Sequence, residues 1–157
     1  MEPSVAALGG TSPGRIAKRL FLATRPMFFT ASILPVVVGT AVGAKIAGAV
    51  DWAAFGLALA SVVCVHAAVN VFNDVFDFKN GADAANAQRI HPFTGGSRFI
   101  QNGVMNAGEM AVLAFALLVA GAAFGTVLFA QKGAGVLLFG IVGVALGILY
   151  SMPPVAL

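Results

Sequence analysis

The sequence of residues 52–83 is WAAFGLALASVVCVHAAVNVFNDVFDFKNGAD. Its first part, residues 52–72, contains no charged residue. A membrane span takes about 20 apolar residues, so this run predicts a helix that crosses a membrane. Three of the six acidic residues of the chain follow it, namely Asp74, Asp77 and Asp83. The acidic residues therefore mark one end of a membrane helix.

One face of this predicted helix carries its polar side chains. A helix turns about 100° per residue. Five polar residues consequently share an arc of about 100°, namely His66, Asn70, Asn73, Asp74 and Asp77. Carboxylate and amide oxygens suit hard cations such as Mg²⁺, which usually also keeps waters and substrate phosphates. We therefore predict a magnesium site formed by Asn73, Asp74 and Asp77.

A solvated helix end is the alternative explanation for any one of these polar residues. Asn80 and Gly81 are typical of such an end. Three oxygen-bearing side chains on one face favour the metal, because ionisable groups in a membrane helix are costly unless they meet a partner. His66 lies deeper on the same face, and we expect it to pack or to support the site from within the bundle.

The composition predicts an all-α integral membrane bundle. Apolar residues make up 59% of the chain and charged residues 10%, whereas soluble domains carry about 25% charged residues. Four uncharged runs are long enough to cross a bilayer. They predict four transmembrane helices near residues 26–46, 52–79, 108–131 and 133–151. A single large soluble core is disfavoured, because four separate uncharged runs of this length would be unusual there.

The positive charges indicate an orientation. The net charge is +3, and the basic residues lie mainly before the first span and between the second and third. The exceptions are Lys45 and Lys132. The positive-inside rule therefore predicts a multi-pass protein of the cell (inner) membrane with both termini and the loop 80–107 in the cytoplasm. A nucleic-acid partner is not expected, because no basic stripe with interleaved aromatic residues is present.

The segments outside the spans give further expectations. Residues 1–14 are rich in Gly and Pro and are expected to form a disordered tail, and residues 15–24 are expected to lie at the membrane surface. In the loop, the sequence Thr94-Gly-Gly-Ser97 is able to present backbone N–H groups to an anion, although Gly-Gly is also common in plain turns. Asn106 and Glu109 have the spacing of a capping box at the start of the third span.

The acidic motif resembles that of a known family. Asn73, Asp74 and Asp77, with Asp83 after a glycine, resemble the first aspartate-rich motif of the UbiA superfamily of intramembrane prenyltransferases. Three further matches lie at Arg25-Pro26 with Pro35 and Gly39, at Thr94–Ile100, and at Tyr150–Pro154. The loop match and the Arg-Pro match resemble the menaquinone-pathway branch. The resemblance covers residues 15–157.

This resemblance implies a fold and an activity. The family is a bundle of nine spans around a central cavity, and it transfers a polyprenyl group from polyprenyl diphosphate to an aromatic acceptor. In the menaquinone branch the acceptor is 1,4-dihydroxy-2-naphthoate. The family binds the diphosphate through Mg²⁺ with two aspartate-rich motifs, one in each half. Glu109 is the only acidic residue after Asp83, so the chain is expected to correspond to the N-terminal half of such an enzyme.

The resemblance also implies roles for individual residues. Asp74 and Asp77, with Asn73 assisting, would hold the Mg²⁺ that polarises the diphosphate. The remaining candidates for substrate binding are Asn70, Asp83, Arg89 and Arg98, the two arginines taking up further negative charge because a guanidinium matches phosphate geometry.

Several alternatives remain open at this stage. The acceptor could be 4-hydroxybenzoate or a chlorophyll precursor, and a second chain could complete the bundle. A non-catalytic membrane subunit that passes cations is the main rival from another class. It is disfavoured, because the third and fourth spans offer almost no polar side chains.

Overall fold

The computed structural model of the chain describes residues 2–86, 88, 90 and 94–152. Every regular element in these residues is a helix, which confirms the predicted all-α class. In chain order the helices are α1 (Val5–Leu8), α2 (Pro13–Ala23), a 3-10 turn (Pro26–Phe28), α3 (Thr30–Ala47), α4 (Trp52–Asn80), α5 (Ala82–Ala85), α6 (Ala107–Lys132) and α7 (Ala134–Ser151). Four stretches are long and apolar enough to cross a membrane, as predicted: Pro26–Ala47, Trp52–Asn80, Ala107–Lys132 and Ala134–Ser151.

Local capping explains where α4 begins and ends. The side chain of Asp51 accepts a hydrogen bond from the backbone N–H of Ala54 at 2.9 Å. Lys132 Nζ lies 2.6 Å from the same carboxylate. The Ala54 hydrogen bond and the Lys132 ammonium hold the pKa of Asp51 below its usual range. Gly81, with φ of 81°, ends the helix in the left-handed conformation that glycine adopts without a steric penalty.

The capping box predicted at the start of α6 is confirmed. Asn106 Oδ1 accepts from the backbone N–H of Glu109 at 2.8 Å, and Glu109 Oε2 accepts from the backbone N–H of Asn106 at 2.8 Å. These two bonds satisfy donors that the first turn of a helix leaves without partners.

Small residues set the closest contacts between the long helices. A Cβ on Gly121 of α6 would lie 2.8 Å from Val65 Cγ2 and 3.1 Å from the carbonyl oxygen of Ser61. Ser61 also donates a hydrogen bond from its hydroxyl to the Gly121 carbonyl at 2.8 Å. Gly147 of α7 has a similar role, since a Cβ there would lie 2.6 Å from Val69 Cγ2. Such close approaches are typical of helix packing in membranes.

The buried core lies at the end of the bundle that carries the acidic residues. It joins the N-terminal segment, α2, α4, α6 and the loop before α6, through Leu8, Ala23, Val71, Val75, Phe99, Val104, Met105, Met110 and Ala114. Many apolar side chains along the membrane spans are exposed instead, as expected where the neighbouring solvent is lipid.

The N-terminal segment differs from the expected disordered tail. Residues 5–8 form a helical turn capped by Ser4, whose hydroxyl accepts from the backbone N–H of Ala7 at 3.3 Å. Leu8 is only 4% exposed. The physical reason is that Leu8 enters the buried core, which the Gly- and Pro-rich composition does not reveal. Residues 15–24, expected at the membrane surface, form most of α2.

We predict that Gly121→Ala destabilises the bundle. The added methyl group would overlap Val65 and the α4 backbone. Overpacking of this kind costs about 1–3 kcal/mol, which exceeds the gain in helix propensity from glycine to alanine. Thermal unfolding in detergent should therefore shift to lower temperature. Gly140→Ala is the matched control, because its added Cβ would meet no atom of another helix within 4 Å. An equal loss of stability in both variants would contradict this account of the α4–α6 contact.

Candidate functional site

The carboxylate of Asp74 lies at the centre of the acidic end of the bundle. Asp74 is 2% exposed. Its Oδ1 accepts a hydrogen bond from the backbone N–H of Ser97 at 3.0 Å and forms an ion pair with Arg25 Nη2. Its Oδ2 is buried and has no hydrogen-bond partner in the described part of the chain. One oxygen of this carboxylate is therefore fixed by the protein, and the other is buried without a hydrogen bond from the described residues.

The connection between α2 and α3 brings Arg25 to Asp74. Arg25 has φ of 54° and precedes the 3-10 turn that starts at Pro26. One residue earlier, the carbonyl of Thr24 accepts a hydrogen bond from Asn70 Nδ2 at 3.0 Å. Asn70 and Asp74 lie one turn apart on α4, so a single face of that helix holds the connection at two adjacent positions.

A second buried carboxylate approaches Asp74 from α5. Asp83 is 3% exposed, and its Oδ2 accepts from Gln101 Nε2 at 2.6 Å. Gly96 lies between the two carboxylates. A Cβ on Gly96 would lie 2.9 Å from Asp83 Oδ1 and 3.0 Å from Asp74 Oδ1. The positive φ of Gly96, 74°, and its missing side chain therefore allow the two acidic groups to lie close together.

Asp77 and Asn73 complete the acidic face of α4. Both are half-buried, and the charge of Asp77 interacts with those of Asp74 and Asp83. Asp74 and Asp83 therefore lie close together around Gly96, and Asp77 lies near them on α4. Arg25 neutralises part of this charge through Asp74.

The oxygen-bearing side chains at the acidic end of α4 suit a hard divalent cation such as Mg²⁺. Among the described residues, no three His, Cys, Asp or Glu side chains already come together as a metal centre. Mg²⁺, however, is commonly bound through one or two carboxylates plus substrate phosphates. Asp74 supplies a buried oxygen that has no partner among the described residues, and Asp77 and Asn73 supply further oxygens on the same helix face. These residues would hold the ion once a phosphate-bearing ligand adds its own oxygens.

The remaining candidates from the sequence are Arg98, Arg89 and the Thr-Gly-Gly-Ser segment. Arg98 is 6% exposed, and its Nη2 donates to the backbone carbonyl of Asn86 at 3.2 Å. Its Nε has no hydrogen-bond partner in the described part of the chain. Arg89 lies outside the described residues. Ser97 presents its N–H to an anion, as the Thr-Gly-Gly-Ser sequence predicted, but that anion is the Asp74 carboxylate of the chain itself.

His66 hydrogen-bonds within the bundle, as expected. Its Nδ1 lies 2.6 Å from the hydroxyl of Ser32 on α3, and the ring of Phe29 packs edge-on against its imidazole at 5.5 Å. His66 therefore helps to join α3 to the polar face of α4.

Sequence reasoning did not assign Arg25 and Gln101 to the site. The Arg-Pro pair indicated only a family resemblance at the start of a span, because the left-handed backbone that turns Arg25 toward α4 cannot be read from residue types. Gln101 lies in a loop, where an amide side chain carries no periodic signal. A single arginine at the mouth of an uncharged span was the one available indication, since such a charge needs a partner.

A cavity of about 330 Å³ lies beside the Arg25–Asp74 pair. Arg25, Gly96 and Ser97 line it on the side of the acidic residues. Four further lining residues belong to the N-terminal segment, namely Glu2, Pro3, Ala7 and Leu8. The remaining lining residues are Lys18, Leu22, Pro26, Met27 and Phe99. The lining of the cavity is mainly apolar, with Glu2, Lys18 and Arg25 as its charged residues.

Comparison with known proteins agrees with this architecture. The chain is 33% identical over 150 residues to 1,4-dihydroxy-2-naphthoate octaprenyltransferase from Bacillus subtilis (strain 168), covering 93% of the chain and 45% of that protein. It is 30% identical over 101 residues to 2-carboxy-1,4-naphthoquinone phytyltransferase from Synechocystis sp., covering 64% of the chain and 32% of that protein.

A vertebrate relative matches a shorter region. UbiA prenyltransferase domain-containing protein 1 from Xenopus tropicalis is 40% identical over 62 residues, covering 40% of the chain and 18% of that protein. The chain therefore spans less than half the length of each of these relatives. No solved structure matches it.

The family assignment rests on most of the chain. Residues 32–155 match the UbiA prenyltransferase family, and this range includes the acidic end of α4, Gly96 and Ser97. The matched range and the coverage by the Bacillus relative agree with the four membrane helices. The chain belongs to the UbiA prenyltransferase family.

Proposed function

We propose that this chain provides the first aspartate-rich site of a Mg²⁺-dependent prenyltransferase that moves a polyprenyl group from polyprenyl diphosphate to an aromatic acceptor. The names of the Bacillus and Synechocystis relatives both refer to naphthalene-derived compounds. They support 1,4-dihydroxy-2-naphthoate, and hence menaquinone biosynthesis, over 4-hydroxybenzoate or a chlorophyll precursor.

The buried, half-satisfied carboxylate of Asp74 is the observation that carries this proposal. A buried carboxylate is costly unless its charge and lone pairs are compensated. Arg25 and Ser97 compensate Oδ1, whereas Oδ2 has no partner among the described residues. Asp77 and Asp83 add negative charge nearby. An Mg²⁺ ion that also binds a diphosphate would supply the missing compensation.

The residues of this chain would then act mainly by binding and orientation. Asp74 and Asp77, with Asn73, would hold Mg²⁺, which would supply Lewis-acid stabilisation to the diphosphate leaving group. Arg98 and Arg89 are proposed to bind further diphosphate oxygens, Asn70 keeps the α2–α3 connection in place beside the site, and Asp83 adds to its negative charge. The carbon–oxygen bond to the diphosphate breaks and its electron pair leaves with the diphosphate. A carbon–carbon bond forms to the aromatic ring, and the attacked ring carbon then loses its proton to water, or its carboxylate as carbon dioxide, so that the ring becomes aromatic again.

The apolar helices would hold the polyprenyl tail and keep water away from the reacting carbon. The long spans offer apolar surface and few polar groups. Water exclusion matters because an electron-poor allylic carbon would otherwise be hydrolysed. The bilayer is thus proposed as the solvent of the tail, with the diphosphate at the acidic end of α4.

Asp77→Asn is expected to weaken Mg²⁺-dependent binding of farnesyl diphosphate by about tenfold or more, because it removes one charged oxygen ligand. Titration of the chain in lipid nanodiscs, with and without Mg²⁺, measures this. Asp51→Asn is the matched control, since Asp51 caps the other end of α4 and should leave binding unchanged. Equal Mg²⁺-dependent affinity in Asp77→Asn and the unaltered chain would remove Asp77 from the metal site.

We expect a polypeptide of these 157 residues to bind the diphosphate without turning it over. A single acidic cluster leaves much of the diphosphate charge uncompensated, and preorganised charge is what the leaving group requires. The assay supplies Mg²⁺, farnesyl diphosphate and 1,4-dihydroxy-2-naphthoate to the chain in lipid and measures prenylated product. Multiple turnovers would overturn this expectation and would indicate that a second chain, such as a second copy, supplies the opposing acidic cluster.

The acidic end of α4 is proposed to face the cytoplasm of a cell (inner) membrane, with both termini on that side. In a Cys64→Ala background, a cysteine in place of the exposed Gln88, in the loop after α5, should react with an impermeant maleimide only after the cells are opened. A cysteine in place of the exposed Ala49, between α3 and α4, should react in intact cells. The reverse labelling pattern would invert the orientation.

A further inference from the structure

We propose that residues 2–10, called the N-terminal clamp below, hold residues 97–102 in the position in which this loop completes the acidic site. Gln101 and Asn102 are the positioning residues of this arrangement. The effect on ligand binding rests on the proposed function, whereas the effect on the loop does not.

The clamp reaches the loop through a hydrogen bond and a buried side chain. Asn102 Nδ2 donates to the backbone carbonyl of Pro3 at 2.7 Å. Leu8 is buried in the same core cluster as Phe99 and Val104, which lie on either side of Asn102 in the chain. The clamp therefore contacts the loop both through its backbone and through its side chains.

The other end of the clamp is attached to α2. Arg15 Nη1 donates to the carbonyl of Gly9 at 3.0 Å, and Arg19 Nη1 donates to the carbonyl of Gly10 at 3.5 Å. A helical turn of four residues has no stability of its own in water, so tertiary contacts such as these and the burial of Leu8 help to order the segment. The clamp is consequently a tertiary element that links α2 to the loop.

The opposite side of the loop contacts the two buried carboxylates. The backbone N–H of Ser97 donates to Asp74 Oδ1 at 3.0 Å, and Gln101 Nε2 donates to Asp83 Oδ2 at 2.6 Å. Asn102, which holds the clamp, is the next residue after Gln101. A continuous set of contacts therefore runs from Pro3 through Asn102 and Gln101 to Asp83.

The clamp also forms part of the wall of the cavity beside Arg25. Glu2, Pro3, Ala7 and Leu8 form one wall of this cavity, and Arg25, Gly96 and Ser97 lie on another. Removal of the clamp would open that wall to water. Ion pairs weaken as the surrounding dielectric rises, so the Arg25–Asp74 pair would hold the site less firmly. The clamp thus acts on the acidic site both through the loop and through water exclusion.

The first experiment needs no ligand. Deletion of residues 2–10 should speed hydrogen exchange at the Ser97 amide by about tenfold, because the loop opens locally once one side is released, while exchange in the middle of α6 stays the same. Gln101→Ala should speed exchange at Ser97 as well, and Gln131→Ala, at an exposed glutamine near the far end of α6, is its matched control. Unchanged exchange at Ser97 in the deletion variant would overturn the proposal.

The second experiment is a double-mutant cycle on Mg²⁺-dependent binding of farnesyl diphosphate in nanodiscs. Deletion of residues 2–10 and Asn102→Ala should each raise Kd by about fivefold, and together by no more than the deletion alone, because Asn102 acts through Pro3. Additive effects would overturn this coupling. Asn102→Ala removes few atoms and should leave the thermal unfolding temperature unchanged, so it still tests the proposal if the deletion variant does not fold.

These two experiments separate the clamp from the proposed function. If the unaltered chain binds no diphosphate while Ser97 exchange still depends on residues 2–10, the proposed function fails and the positioning of the loop stands. If the unaltered chain binds diphosphate and the folded deletion variant binds it equally well, the proposed function stands and the clamp has no role in the site.

Discussion

Burial of the Asp74 carboxylate is the constraint on which the acidic end of the bundle depends. A charged group with 2% exposure is costly unless partners surround it. Asp74 obtains them from distant parts of the chain, an ion pair from Arg25 before the first span and a hydrogen bond from Ser97 in the loop before α6. The α2–α3 connection must therefore bring Arg25 to Asp74, and Gly96 must lie close enough to Asp74 for the Ser97 N–H to reach its carboxylate.

Packing inside the membrane spans is much less specific than packing at the acidic end. No residue of α3 is buried, and α7 buries only Ser151 among its described side chains. Lipid is as apolar as leucine, so these helices gain little by hiding apolar side chains from it. Close contacts at Gly121 and Gly147, with the Ser61 and Ser32 hydrogen bonds, set how the spans meet. The more specific contacts lie at the acidic end of the bundle.

The sequence predicted the features that depend on local patterns. Four uncharged runs were enough to locate the spans, and Gly81 and the Asn106–Glu109 pair were enough to locate helix ends, because capping acts over three or four residues. The common face of Asn73, Asp74 and Asp77 followed from helical period alone. These predictions required no knowledge of which helices are neighbours.

The contacts missed from the sequence all join residues far apart in the chain. Arg25 pairs with Asp74, Asn102 with Pro3, and Gln101 with Asp83. Asparagine and glutamine in loops are usually solvated, so their types gave no signal. The arginine gave only the general indication that a charge at the start of a span needs a partner. The N-terminal segment was expected to be disordered because it is rich in Gly and Pro. Burial of Leu8 depends on a core built from residues near positions 71–75 and 99–114, which local composition cannot show.

The dual role of Asp74 also determines which substitution can report on ligand binding. Asn at position 74 would keep an acceptor for the Ser97 N–H but would leave the Arg25 guanidinium without its counter-charge. Removing one partner of a buried pair costs about 3–5 kcal/mol, and even a reduced cost at this partly exposed arginine would disturb the α2–α3 connection. A loss of affinity at Asp74 would then mix folding with binding. Asp77 is half-buried and is not part of the Arg25 ion pair. Its charge interacts with the cluster without holding the fold together, so a change there reports on the ligand.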